Sequence, residues 1–247
     1  MLGLIIFGTG NNAEMAYDYF RYERSLDING SRKDPYYPYS VWMTKQYWPI
    51  AFTKDNPRPD ETFCDLPVIP FDKIELFYPP DKYEMFISVG YKDLNHLRAR
   101  KYEEAKKKGY KFASFISTHS YIGRNVEIGE NVMIMEENNI QYGAKIGNNV
   151  IMWSGSHVGH GAVLEDHIFM ASHVIVAGFC KIGSYSFIGG GVIFAENVEV
   201  GADSLVGAGA YLARSIHGNK AYVTRPSFEE RDFAELSEKA QAIYAPK

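Results

Sequence analysis

Four histidines crowd one stretch of the chain: His157, His160, His167 and His173. Imidazole titrates near neutrality, so a histidine can take a proton from a nucleophile and pass it on. His160 differs from the other three in context. In Val158-Gly159-His160-Gly161 it lies two residues past an aliphatic position, which suits a corner and not a core. Near the N-terminus, Gly8-Thr9-Gly10-Asn11-Asn12-Ala13 follows an apolar run over residues 4–7. A G-x-G-x-x-A turn between a strand and a helix lets backbone amides cradle a phosphate. The same residues would also serve as a plain tight turn. Two cysteines, Cys64 and Cys180, are too few for a disulfide framework or a four-ligand zinc site, and no metal is expected.

These residues must be held by something regular, and the sequence supplies a period of six. Every sixth residue from Ile122 to Leu212 is apolar, without an insertion. Glycine often follows it, as at Gly123, Gly129, Gly147, Gly159, Gly183 and Gly201, and a small or β-branched residue usually stands two before it. Alternation of large and small side chains describes short strands with one buried face, and glycine eases the corner that follows. Repetition stacks such strands into a parallel solenoid. Cys180 falls on an inward small position and is expected in the core.

Before the repeats, strands are expected over 4–7, 48–52, 85–89 and 111–116, with helices over 13–24 and 93–108. Alternation of this kind predicts a small parallel α/β domain. Residues 25–48 form a longer segment rich in aromatics: Tyr36, Tyr37, Tyr39, Trp42, Tyr47 and Trp48. Packing against the domain core or a second subunit accounts for it better than stacking on a ligand. Past Pro226, Ser227 and Glu230 make a capping box for a final helix.

The 247 residues are 46% hydrophobic and 23% charged, which excludes disordered and fibrous classes. The net charge of -4 offers no basic field for nucleic acid. No apolar run is long enough to cross a bilayer, and the N-terminus lacks a basic region and cleavage site, so a cytoplasmic location without membrane insertion is expected.

The six-residue pattern resembles the left-handed parallel β-helix of hexapeptide-repeat acyltransferases, in which three hexapeptides make a coil of about eighteen residues. That resemblance implies about five coils. Together with FGTGNNA, DLPVIPFDKI at 65–74, SVGYKDLNHLR at 88–98 and GYKFASFIS at 109–117, it extends over nearly the whole chain. The arrangement looks like the sugar acyltransferase family that includes the sialic acid O-acetyltransferase and N-acetyltransferases of nucleotide-linked amino sugars.

The resemblance implies a Rossmann-like domain over 1–117, a β-helix over 118–217 and a C-terminal extension with a helix over 218–247. It implies a homotrimer that uses acetyl-coenzyme A, with His160 as general base and the Gly178 N–H, one coil on, as oxyanion donor. Gly8, Gly10, Asn11, Gly90 and Tyr91 would line the acceptor site. The coenzyme would run by Gly178, Gly190, Ala195 and Glu196, with Arg214, Lys220 and Arg225 available to its phosphate. A nucleotide-linked amine is the first choice of acceptor and a sugar hydroxyl the second; a non-catalytic nucleotide-sugar-binding scaffold is the reading from another class. One departure stands out. Relatives often follow the histidine with an acidic residue or asparagine that orients the ring, and here Gly161 stands there. Glu136, Glu137, Asn138, Asn139 and Asp166 are the candidate substitutes.

Overall fold

The computed structural model describes residues 2–32 and 41–224. The N-terminal unit runs β1 (Leu2–Phe7), α1 (Asn11–Tyr22), β2 (Ser25–Arg32), β3 (Val41–Lys45), β4 (Tyr47–Lys54), β5 (Thr62–Phe63), β6 (Leu66–Pro70), a short α2 (Ile74–Phe77), β7 (Glu84–Ile87), α3 (His96–Lys107) and β8 (Lys111–Phe112). The main sheet has the order β5-β6-β4-β1-β7-β8. All its pairs are parallel except β5 with β6. Numbering only the parallel strands in chain order gives 3-2-1-4-5, the doubly wound order of a Rossmann-like domain. Its topological switch point lies between β1 and β7.

Local sequence explains the two long helices. In α1 the buried face is Ala13, Ala16 and Phe20, at helical spacing. In α3 it is Arg98, Ala99, Tyr102 and Ala105; Lys106 and Lys107 suit the negative end of the helix, and Gly109 ends it at φ +90°.

The expected strand over 111–116 is two strands. Lys111–Phe112 closes the edge of the α/β sheet, whereas β9 (Phe115–Ile116) pairs with Met133–Ile134 and opens the solenoid. Segment 25–48 contains an antiparallel hairpin of β2 and β3. Leu26 packs against the solenoid core, and the Ile116 amide donates to Ser25 Oγ at 2.9 Å, so the hairpin covers the solenoid's first coil. Tyr47 is buried, and the Arg21 guanidinium lies 3.3 Å from the ring centre of Trp48. These two aromatics therefore pack on their own domain. Tyr36, Tyr37 and Tyr39, the Trp42 side chain, Arg225 and the C-terminal helix lie outside the described residues.

From Tyr121 onward two-residue strands stack into a left-handed parallel β-helix with three faces of six, five and seven strands. The periodic positions point inward: Ile134, Ile140, Met152, Val158, Leu164, Met170, Val176, Ile182, Ile188 and Phe194 form one buried column with Val150, Ala162, Cys180 and Val192. The seven-stranded face is longest because β9 precedes the repeats and Lys220–Tyr222 follows them.

Outward residues give each face its own character. Met133, Ile151 and Phe169 are buried against Phe20 and Phe86 of the α/β domain, which covers this face. The five-stranded face carries the ion pairs Lys145–Glu127 and Lys181–Glu165. The six-stranded face exposes Tyr121, Ile175, Ile193 and Tyr211.

Candidate active site

His160 stands on the edge between the exposed apolar face and the charged face. One coil on, Gly178 meets it. A Cβ added to Gly178 would lie 2.6 Å from His160 Cε1 and 2.9 Å from Nε2, so only glycine leaves the ring its place. The chain continues as Phe179, whose ring packs edge-on to the imidazole with centroids 4.7 Å apart and planes at 85°. Ladder bonds flank this point, from Ala177 N to Phe194 O and from Phe179 N to His160 O. Between them the Gly178 N–H has no partner among the described residues. A free backbone donor beside an exposed imidazole is what acyl transfer from a thioester requires.

The same edge continues through Glu196 and Arg214, each one coil further, with Ala195 preceding Glu196. Arg214 therefore shares the column of His160 and Gly178. Lys220 is exposed on the last strand of the covered face, and Gly190 lies on the edge between the covered and apolar faces. One chain thus places Gly178, Ala195, Glu196 and Arg214 along the edge that carries His160, with only Gly178 next to it, and Gly190 and Lys220 elsewhere.

None of the proposed orienting residues reaches His160. Glu136 accepts from Tyr19 Oη at 2.6 Å and Ser154 Oγ at 2.5 Å, and these bonds help hold its carboxyl below the usual range against burial, which pushes it up. Asn138 bonds the Met135 carbonyl at 2.9 Å, and Asp166 caps the Asn148 amide at 2.6 Å. Asn139 pairs with His157 on the apolar face. Among the described residues neither ring nitrogen of His160 has a hydrogen-bond partner. His173 lies over Gly155 at another edge, and His167 is buried.

The second cluster lies at the switch point of the α/β sheet. Gly8 follows β1 with φ +119°, and a Cβ there would come 3.0 Å from Ser88 Oγ. Gly10 caps α1 with nothing within 4 Å of its missing side chain. Its carbonyl accepts from Ala13 and Glu14, leaving the Asn11 and Asn12 amides at the helix N-terminus. Gly90 lies across the cleft, close enough to Asn12 that a Cβ would meet its Nδ2. Tyr91 rests on Phe169 and Phe187, with centroids 5.0 and 4.8 Å away. Glycines, helix-terminal amides and a ring wall thus border the crevice that a doubly wound sheet leaves at its switch point, a set of groups suited to an anion carrying a flat or apolar group.

Arg98 fixes this crevice to the solenoid. It is fully buried, and among the described residues no carboxylate accepts from it. Its Nη1 donates to the Gly90 carbonyl at 3.0 Å; Nη2 donates to the carbonyls of His167 and Ile168 at 3.1 and 3.0 Å. Burial pushes its pKa down to about 9, which leaves it charged at neutral pH.

The two clusters do not meet within one chain. Tyr91 packs on the covered face, whereas His160 stands on the edge opposite that face.

Fold and repeats together define the class: a left-handed β-helix of hexapeptide repeats joined to a Rossmann-like domain. Residues 179–214 match the family model described as bacterial transferase hexapeptide (six repeats). No curated protein matches the sequence. Among solved structures, the chain is similar to a mutant of perosamine N-acetyltransferase from Caulobacter crescentus, in complex with CoA and GDP-perosamine, at 21% identity and TM-score 0.72, covering 93% of this chain and 97% of that one. The acetyltransferase domain of PglB from Neisseria gonorrhoeae gives 19% and 0.70, covering 92% and 98%. WeeI from Acinetobacter baumannii gives 20% and 0.70, with the same coverage. At these identities the likeness is one of fold.

The signal for Arg98 and Phe179 was weak in the sequence. Arg98 sits in a helix crowded with charge, and Phe179 looks like one exposed aromatic among many. What marks Phe179 is its register, one coil above Gly161.

Proposed function

We propose that the chain is an acetyl-coenzyme A-dependent acetyltransferase whose acceptor is an amine on a nucleotide-linked sugar. The observation that carries this reading is the exposed His160 imidazole set against the bare, unbonded amide of Gly178. The fold neighbours bind CoA and, in one case, GDP-perosamine, which supports the same reading.

The acceptor nitrogen attacks the thioester carbonyl carbon. His160 takes the proton that nitrogen loses, and the Gly178 N–H holds the carbonyl oxygen while it carries charge. The new N–C bond forms, the C–S bond breaks, and the leaving thiolate receives the proton. The products are the N-acetyl sugar and coenzyme A. An amine attacks with its own lone pair, whereas a hydroxyl needs its proton pulled away by a stronger base. A ring nitrogen with no carboxylate partner among the described residues therefore favours the amine.

Gly8, Gly10 and Asn11 would hold the nucleotide's diphosphate, with Gly90 and Tyr91 on the opposite wall. The pantetheine arm would follow the edge of Gly178, Ala195 and Glu196, and Arg214 is the cation in that column. Because crevice and histidine lie on opposite sides of one chain, a second copy must bring its own His160 to the crevice. Residues on another edge, such as Gly190, then belong to the same groove through that copy. A homotrimer satisfies this with three equal sites, and the exposed Ile175, Ile193 and Tyr211 supply an apolar contact. The cytoplasm, where nucleotide sugars and acetyl-coenzyme A are made, is the expected place, and surface-glycan assembly the expected use. Among the described residues no helix is long and apolar enough to cross a membrane.

Thiol release from acetyl-coenzyme A tests the reading against nucleotide-linked amino sugars and matched hydroxy sugars. Turnover with an amine supports it. Turnover only with hydroxy sugars would move the chain to O-acetylation. Binding without any thiol release would leave a scaffold.

A further inference from the structure

We propose that Phe179 is the positioning residue of His160: its ring, packed at right angles to the imidazole, fixes that ring in the role a hydrogen-bonding side chain would otherwise play. The inference rests on His160 being the general base and adds to it how the ring is held.

Three observations converge on it. The first is the edge-on contact at 4.7 Å already described, at a histidine whose nitrogens have no partner among the described residues. The second is register. At this edge the left-handed backbone position falls in successive coils on Asn125, Gly143, Gly161, Phe179 and Asn197, with φ between +56° and +70°. Asparagine and glycine tolerate that region; a bulky ring does not do so cheaply. From Asn125 to Asn197 on this edge, Phe179 is the one residue in this conformation that is neither glycine nor asparagine; His167, His173 and Tyr185 take the same conformation at the other edges. The third is Gly161. A Cβ there would come within 2.8 Å of Phe179 Cδ1 and Cε1. The residue after the histidine is thus glycine because the phenyl ring lies over it, and an acidic residue at 161 would collide with that ring.

The missing orienting residue and the phenylalanine over Gly161 are therefore one device. Phe179 remains 56% exposed, so burial in the core does not account for an aromatic ring at this place. The edge contact restricts the imidazole on one side, and the bare Gly178 bounds it on another. Both ring nitrogens stay free for the acceptor and for the proton it loses.

The test compares Phe179→Gly and Phe179→Tyr in the full chain and again with His160→Ala. Phe179→Gly removes the ring and relieves the backbone. We expect its kcat to fall about tenfold or more, with KM for both substrates within about twofold, since only the reactive geometry is lost. Melting temperature should hold or rise, and the oligomeric state should not change. Phe179→Tyr keeps the ring edge and should retain activity within about threefold. In the His160→Ala background, Phe179→Gly should alter the residual rate by less than about twofold, because two residues acting as one are not additive. Equal losses in both backgrounds would overturn the proposal, as would a change confined to KM or a loss of assembly. Full activity of His160→Ala alone is a different failure: it would remove the base itself, and this role with it.

Discussion

At the scale of single residues, glycines decide where chemistry can occur, and each for its own geometric reason. Gly178 is bare because the imidazole occupies its Cβ position at 2.6 Å. Gly178→Ala should therefore displace the His160 ring and lower kcat by about tenfold or more, while coenzyme binding changes less. His160→Ala should cost about a hundredfold or more in kcat/KM, the usual worth of a positioned base. Gly10 makes the opposite case. Its backbone is extended at φ -110°, and its Cβ direction is open. Gly10→Asp should leave thermal stability unchanged or raise it, because aspartate is a favoured helix cap. It should raise KM for a nucleotide-linked acceptor about tenfold or more, because it sets a negative charge where the proposed acceptor's phosphates would lie. The pairing of His160 with Gly178 was legible in the sequence, since the repeat converts a separation along the chain into a vertical contact. Phe179 was not, because its significance lies in the space above Gly161.

At the scale of elements, α3 acts as the bolt between the two domains. It runs beside an edge where Asn131, Asn149 and His167 stack coil on coil. Ile87 N donates to Asn131 Oδ1 at 2.7 Å, Asn131 Nδ2 donates to Asn149 Oδ1 at 2.8 Å, and Asn149 Nδ2 faces His167 Nδ1 at 2.9 Å. Burial is the main cause that lowers the His167 pKa from 6.5 to about 4. Below pH 6.5 the unfolded chain then binds a proton that the folded chain refuses. Stability from this site is complete above that pH and is lost as pH falls toward 4, by up to about 3 kcal/mol. Melting temperatures from pH 7 to 4.5 should fall more steeply in the wild type than in His167→Gln. Arg98→Lys should destabilise by roughly 2–4 kcal/mol in denaturant titrations, because an ammonium cannot span the carbonyls that the guanidinium joins. The sequence showed α1, α3 and the solenoid clearly, as strong periodicities do. It hid the hairpin of β2 and β3, whose aromatic and polar residues follow neither period. It also hid the break between Phe112 and Phe115, where an apolar run passes from one sheet to the next.

At the scale of the whole molecule, the three faces of the solenoid carry three different outward surfaces. One is covered by the α/β domain, one is charged, and one exposes Tyr121, Ile175, Ile193 and Tyr211. On the proposed assembly, in which a second copy completes each site, Ile193→Lys should break the trimer in sedimentation and abolish turnover with it. The surfaces were partly legible: outward positions alternate with the inward comb, but nothing in the pattern says which face the first domain covers. The central claim is acetyl transfer by the His160 of one chain to an acceptor held in the crevice of another, and subunit mixing tests it most directly. Chains carrying His160→Ala and chains carrying Gly10→Asp are unfolded together, refolded together and assayed for thiol release at low acceptor concentration. Each variant alone should be nearly inactive. The account predicts that an equal mixture recovers about a quarter of wild-type activity, since random assembly pairs an intact histidine with an intact neighbouring crevice at that frequency. Mixed assemblies no more active than either variant alone would contradict it.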